Sequence, residues 1–258
     1  MDLTWWGAAG FKVKTRDDLF LIDPYFTRNR KARPVQNRGP EAGAGAERIF
    51  ITHGHFDHMG DVPAVLGHTR AQVYCCPTTA ETLVRDGVDP ASITQVTADG
   101  SVYEFGWYTA EANYSRHVVF DRALVAKTLL KCHFLTFKYL PMLRRYPVGQ
   151  VLSWRFVVDG LALHHFGSGG SPPDELERLG QRKTDVLLVP LQGHTHIDQI
   201  ALEYVRVMKP RLVIPHHQDD FFPPISQMVD ISRFVSGVRQ ACPESQVKVM
   251  EFNETITL

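Results

Sequence analysis

The sequence predicts an α+β chain in which two β-sheets pack face to face and helices cover both outer faces, an αββα four-layer sandwich. Three observations predict it. Strand-like runs fill both halves of the 258 residues, so each half supplies a sheet. Helical runs fall between the strands at intervals, and each must bury one face against a sheet. No short-period repeat points to a solenoid. The expected organisation is one domain over 1–258, with a helical insertion at about 121–147.

The elements follow in order. Residues 4–6, 11–14 and 19–22 are short, alternating, β-branched or aromatic runs broken by Gly7, Gly10 and Asp17-Asp18, as in hairpin strands. The third ends at LIDP, because Pro24 cannot continue a central strand. Residues 28–47 are rich in Arg, Gly, Pro and Ala without periodicity, which predicts a long loop. RIFIT (48–52) is an apolar strand running directly into HGHFDHMGD. Asp61 is placed to cap a helix through Leu66, 71–76 is a strand, and Pro77 opens a helix to about Arg85. Further strands are expected at 93–96, 101–105 and 108–114.

The segment 123–140 carries Leu124, Val125, Leu129, Leu130, Phe134, Phe137, Tyr139 and Leu140 against Lys127, Lys131, His133 and Lys138. This predicts a helix with a broad apolar face and a basic rim. It fits a helix packed on the domain, a lid over an apolar substrate pocket, or a membrane-surface or dimer helix. Beyond it, 151–158 and 161–166 form a hairpin about Asp159-Gly160, a favoured turn pair. A helix at 172–179, a buried strand at 185–191, a helix at 198–208, a strand at 211–215, a helix at 225–241 and a closing strand at 247–252 complete the pattern.

Composition excludes several classes. Apolar residues make 44% and charged residues 22%, ordinary for a globular protein. Lys plus Arg and Asp plus Glu are 28 each, so no bulk positive charge marks a nucleic-acid binder. The four cysteines form no C-x-x-C pair, against a thiolate zinc finger or a redox pair. The opening residues lack the basic and apolar regions of a signal peptide, and no window of eighteen apolar residues predicts a spanning helix. The expected location is cytoplasmic. A homo-oligomer is compatible with paired surfaces on such a fold, although no heptad or exposed stripe marks an interface.

Histidine is the informative residue. Of twelve, most are clustered: His53, His55 and His58; His164 and His165; His194 and His196; His216 and His217. In HGHFDH, directly after a strand, Gly54 lets the loop turn, His53 and His55 can converge on one metal, and Asp57 and His58 on a second. Neutral imidazoles with a carboxylate are borderline ligands that suit zinc, and also iron or manganese.

THGHFDHMGD resembles the H-x-H-x-D-H signature of the metallo-β-lactamase superfamily, and TWWGAAGFKVKT with FLIDPYF resembles the opening of its broad metal-dependent hydrolase branch. That branch includes ascorbate-6-phosphate lactonase-like and N-acylphosphatidylethanolamine phospholipase D-like proteins. The resemblance spans about residues 3–252 and implies the metallo-β-lactamase fold. It further implies that His53, His55 and His117 hold one metal and that Asp57, His58 and a C-terminal histidine hold the other. His216 and His217 are both candidates for that last position; neighbours in an extended segment face opposite sides, and the strand-Pro-x-His pattern selects His217. One or two Zn2+ per chain are implied, with iron or manganese as alternatives. The chain departs from the pattern at Ser168, where many relatives carry an aspartate that bridges both metals, and at Ala8, where histidine is frequent. Asp219 or Asp220 can compensate for the bridge only if its loop folds back.

The implied activity is that of a hydrolase in which a metal-bound hydroxide attacks an ester, lactone or phosphodiester, with Asp57 orienting the water and His194 orienting substrate or stabilising an oxyanion. Capping of the next helix by Thr195, with His194 and His196 merely solvated, is the alternative for that segment. Arg28, Arg30, Lys31, Arg33 and Arg38 form a solvated basic loop or, if that loop folds over the site, with an apolar lining from the 124–140 segment, Trp154 and Phe156, would suit a small acidic or amphiphilic substrate. No nucleic-acid partner is expected. Two other classes stay open: a non-hydrolytic metalloenzyme doing iron-dependent oxygen chemistry or a biosynthetic cyclisation, and a catalytically inactive metal-binding protein.

Overall fold

The computed structural model describes residues 1–132, 141–142 and 144–258. The first half lays down β1 (Asp2–Trp5), β2 (Phe11–Lys14), β3 (Leu19–Ile22), β4 (Arg48–Phe50), β5 (Gln72–Cys75) and β6 (Ile93–Gln95). The second lays down β7 (Ser101–Glu104), β8 (Tyr108–Ser115), β9 (Val151–Val158), β10 (Leu161–Phe166), β11 (Val186–Pro190), β12 (Leu212–His216) and β13 (Gln246–Val247). A last strand, β14 (Thr255–Thr257), returns to pair with β1.

The sheet orders are β14-β1-β2-β3-β4-β5-β6 and β13-β12-β11-β10-β9-β8-β7. Each sheet is antiparallel through its hairpins and parallel beyond them, from β3 to β6 and from β10 to β13. The parallel strands are joined through helices: α1 (Phe56–Met59), α2 (Val62–Leu66) and α3 (Pro77–Arg85) in the first half, α5 (Pro173–Gly180), α6 (Ile197–Met208) and α7 (Ser232–Ala241) in the second. α4 (Arg122–Cys132) follows β8. The β9–β10 hairpin turns at Asp159 and Gly160, both at positive φ (48° and 80°), as a two-residue turn of matching twist requires.

Side-chain alternation separates the layers. In β3 and β4, Phe20, Ile22 and Phe50 face the other sheet, where they join Trp5, Phe11, Trp154 and Phe156 in the central core. Leu21, Ile49 and Ile51 face outward onto α2 and α3. The outer face of the second sheet is closed by α5, α6 and α7 through Leu176, Leu179, Tyr204, Val205, Phe234 and Val238. This is the four-layer sandwich the sequence predicts.

Four expectations are corrected. The last strand lies at Thr255–Thr257, not 247–252, and the helix expected from 225 begins at Ser232. Trp154 and Phe156 are fully buried between the sheets and line no pocket. In the 123–140 segment, Val125, Leu129 and Leu130 on α4 are 42%, 51% and 73% exposed, so these three do not pack onto the domain, while Leu124 is half-buried. Residues 133–140 lie outside the described residues.

Candidate metal centre

The loops that follow β3, β4, β8, β10 and β12 meet at one edge of the sandwich. After β4 the chain passes Thr52 and His53, turns at Gly54 and enters α1 at His55. Gly54 is required by proximity rather than by its φ: a Cβ there would lie 2.1 Å from the carbonyl oxygen of Pro147, and the Gly54 N–H already donates to Val148 O. α1 spans one turn and sets His55, Asp57 and His58 around its start. His117 follows β8, and His217 follows β12 at φ +63°, a left-handed turn that sends it away from the direction of its neighbour.

Two donor sets result. The ligand atoms of His53, His55 and His117 all lie within 4.8 Å of one another, and so do those of Asp57, His58 and His217. The sets adjoin: the rings of His53 and His58 have centroids 3.8 Å apart. In the first set His53 Nε2 is 3.2 Å from His55 Nδ1. In the second, Asp57 Oδ2 is 3.2 Å from His217 Nε2 and 3.6 Å from His58 Nε2. All six residues singled out by the resemblance are thus brought together, three and three.

A carboxylate absent from the sequence reading organises both sets. Asp23, fully buried at the end of β3, accepts from His58 Nδ1 (2.7 Å), Thr52 N (2.7 Å) and Thr52 Oγ1 (2.6 Å). Because the Thr52 hydroxyl donates to Asp23, it accepts from His53 Nδ1–H at 3.1 Å. His53 and His58 therefore both carry their distal proton on Nδ1 and present Nε2 to the centre, the usual way an outer carboxylate fixes the tautomer of a ligand histidine. His117 is fixed similarly, its Nδ1–H donating to Val118 O at 2.7 Å. The signal in the sequence is an aspartate ending a buried strand before Pro24.

The remaining predicted positions have other roles. Ser168 is buried and its Oγ accepts from Val118 N at 3.0 Å, so it clamps the loop that carries His117. The approach is close on either side: a Cβ on Gly167 would strike Thr52, and one on Gly170 would strike His117 O. Asp219 does not fold back to the centre. Its Oδ1 accepts from Ala8 N and its Oδ2 pairs with buried Arg28, while the backbone of Asp220 bridges to Arg33. Arg28 is consequently unavailable to a substrate. His216 points inward, stacked on His165 with Nε2–H donating to Phe166 O.

His194 belongs to neither donor set. It lies on the turn before α6, where Gly193 abuts Val118 and Phe120 of the His117 loop. Its Nδ1 accepts from His196 N, which leaves the ring proton on Nε2 in the neutral form. Thr195 does not cap α6; its N–H and hydroxyl donate to Asp121, the residue before α4.

The electrostatics fit a divalent cation. Burial is the largest influence on His53, His55 and His117 and drives all three down, His55 to about 4, with nearby imidazoles acting the same way. They are neutral donors at pH 7. Burial pushes Asp57 up, but His58 and His217 outweigh it and hold the carboxyl far below its usual range. Burial lowers His58, and Asp23 and Asp57 more than reverse this. A metal would thus meet one ionised carboxylate and tautomer-fixed imidazoles. Such donors suit one or two ions of zinc, iron or manganese.

Comparison with known proteins agrees. Residues 2–217 match the family described as the Beta-lactamase superfamily domain. A UPF0173 metal-dependent hydrolase of Myxococcus xanthus is 31% identical over 225 residues, covering 85% of this chain and 71% of the relative. Another, of Pelotomaculum thermopropionicum, is 27% identical over 266 residues and covers 100% of both. Among solved structures, the metallo hydrolase Igni18 from Ignicoccus hospitalis superposes with a TM-score of 0.72 at 22% identity, covering 99% of this chain and 97% of its own. With the sandwich, the two donor sets and these relatives in agreement, the chain belongs to the metallo-β-lactamase superfamily and, within it, to the UPF0173 metal-dependent hydrolases.

Proposed function

We propose that this chain hydrolyses a small-molecule ester, lactone or phosphodiester with one or two zinc ions held by His53, His55, His117, Asp57, His58 and His217. One observation carries the reading: two three-residue donor sets lie side by side at one edge, with Asp23 fixing histidines in both. When bound there, a divalent metal supplies an acidified water and a Lewis acid for the electrophilic oxygen. Asp57, held ionised by His58 and His217, would orient that water by accepting a hydrogen bond at a carboxylate oxygen and so help to receive its proton. His194 Nε2–H donates to the substrate oxygen on which charge develops. The buried Asp23–Thr52 pair keeps the imidazoles from rotating. Nearness to lactonase-like or phospholipase D-like branches is part of this proposal, as is the treatment of 121–147 as an insertion beside the site.

Elemental analysis of protein purified without added metal or chelator tests the reading, followed by turnover on ester, lactone and phosphodiester panels. Zinc near one or two per chain with turnover of one panel is the expected result. Iron with oxygen-dependent turnover would replace hydrolysis by redox chemistry, and failure to take up metal would leave no catalyst.

A further inference from the structure

Beside the donor sets, an open cleft of about 540 Å³ is walled by Tyr25, Phe56, Met142, Tyr146 and Phe222. Its position is fixed by the ligand loop itself, since Phe56 lies between His55 and Asp57. A chain of ring contacts ties the cleft to the second donor set. Phe56 packs on Tyr25 (5.9 Å between centroids) and Phe222 (5.0 Å), Tyr25 on Phe221 (6.0 Å), and Phe221 on His217 (4.9 Å).

The charged groups on the wall are already committed. Asp61 accepts from Phe26 N, Thr27 N and Thr27 Oγ1. Arg145 pairs with Asp86 at 2.8 Å. Arg28, next to Thr27 of the wall, is buried against Asp219. Among the described residues the cleft therefore offers aromatic and thioether surface without an uncommitted charge. Such a surface recognises an uncharged apolar group and disfavours a phosphate or carboxylate, which would lose its hydration without gaining a partner.

We infer that this cleft is the specificity subsite for an uncharged alkyl or arylalkyl group attached to the electrophilic carbon of the substrate. The inference rests on the hydrolase reading and narrows it: the apolar part of the substrate lies in the cleft against Phe56, Phe222, Met142 and Tyr146, and no acidic group is held there. Each methylene buried in the subsite raises kcat/KM about 4-fold, the transfer value for one CH2.

The test uses the metal-loaded protein and two readouts. Turnover is compared on 4-nitrophenyl acetate and 4-nitrophenyl butyrate, and binding of 4-phenylbutanol, an uncharged molecule with no scissile bond, is followed by calorimetry. Phe222→Trp and Met142→Phe fill the cleft from two walls. The expected result is that either variant lowers the butyrate-to-acetate ratio of kcat/KM about 16-fold, since two methylenes are displaced, and weakens the alcohol. Equal effects on both esters, or no alcohol binding to the wild-type chain, would overturn the subsite and leave the hydrolase reading standing. Alcohol binding that both variants weaken, with no ester turned over, would support the subsite and reject ester hydrolysis.

Discussion

Replacing Asp23 by asparagine tests whether an outer carboxylate organises the whole centre. The change keeps shape, and asparagine tolerates the backbone of this position (φ +42°) better than other uncharged residues of its size. What changes is donor–acceptor matching. Asp23 receives three donors: His58 Nδ1–H, Thr52 N–H and the Thr52 hydroxyl. An amide presents one oxygen and one NH2, so whichever way it flips, at least one buried donor faces another donor. Losing one charge-assisted hydrogen bond at a fully buried site costs about 1.5–3 kcal/mol. The same range corresponds to the about 10–100-fold loss of metal affinity usual for outer-shell changes. Both donor sets should weaken, the second more, because His58 contacts Asp23 directly whereas His53 is reached through Thr52. Zinc competition against a chromophoric chelator measures both affinities, and urea unfolding of the metal-free form measures the fold. Unchanged zinc affinity in a folded Asp23→Asn protein would refute the argument. An equal loss at both sites would refute the relay through Thr52.

Three further outcomes follow from the same geometry. Ser168→Ala removes the acceptor of the buried Val118 N–H, which should lower stability by about 1–3 kcal/mol and loosen zinc at the His53, His55 and His117 set, read by thermal unfolding with and without zinc. Gly54→Ala drives a Cβ into Pro147 O, so the loop must shift; elemental analysis should find metal lost from a chain whose circular dichroism is unchanged. Acidification should destabilise the metal-free chain. Burial pushes His164 down to about 3 and His165 to about 4, so below the unfolded value near 6.5 the unfolded chain binds more protons and stability falls as pH drops from 6.5 towards 4. Each group contributes about 1.4 kcal/mol per pH unit in that window, and a flat urea midpoint between pH 7 and 5 would contradict it.

The elements with strong local signals were legible. Alternation located β2 and β3, and the Asp159-Gly160 turn located the β9–β10 hairpin. The dense HGHFDH cluster, read together with the family resemblance, pointed to the six residues that converge. Long-range pairing was not legible. Nothing local says that Trp154 and Phe156 face the other sheet rather than a pocket, because both faces of β9 are largely buried. Nothing local says that Arg28 will meet Asp219, 191 residues away. Asp23 was passed over because, in sequence, an aspartate before proline reads as a strand terminator; its function appears only when β3 and β4 lie side by side and their ends converge. Asp61 was read as a helix cap for a similar reason, yet it accepts from Phe26 and Thr27 across 34 and 35 residues.

The placement of the donors makes metal binding and assembly of the sandwich one event. His53 and His55 follow a strand of the first sheet, and His117 follows a strand of the second. Asp57 and His58 again come from the first sheet, and His217 from the second. Neither set is complete on one sheet, so neither exists in a chain whose sheets have not packed. A ligand that binds only the packed state stabilises it by mass action, about 4 kcal/mol at a thousandfold excess over its dissociation constant. Both loops are also held from behind the donors. Ser168 helps hold the second-sheet loop in register through Val118, and Asp23 holds the first-sheet loop through Thr52 and His58. The loops that carry the donors are thus positioned from the two strand ends behind them.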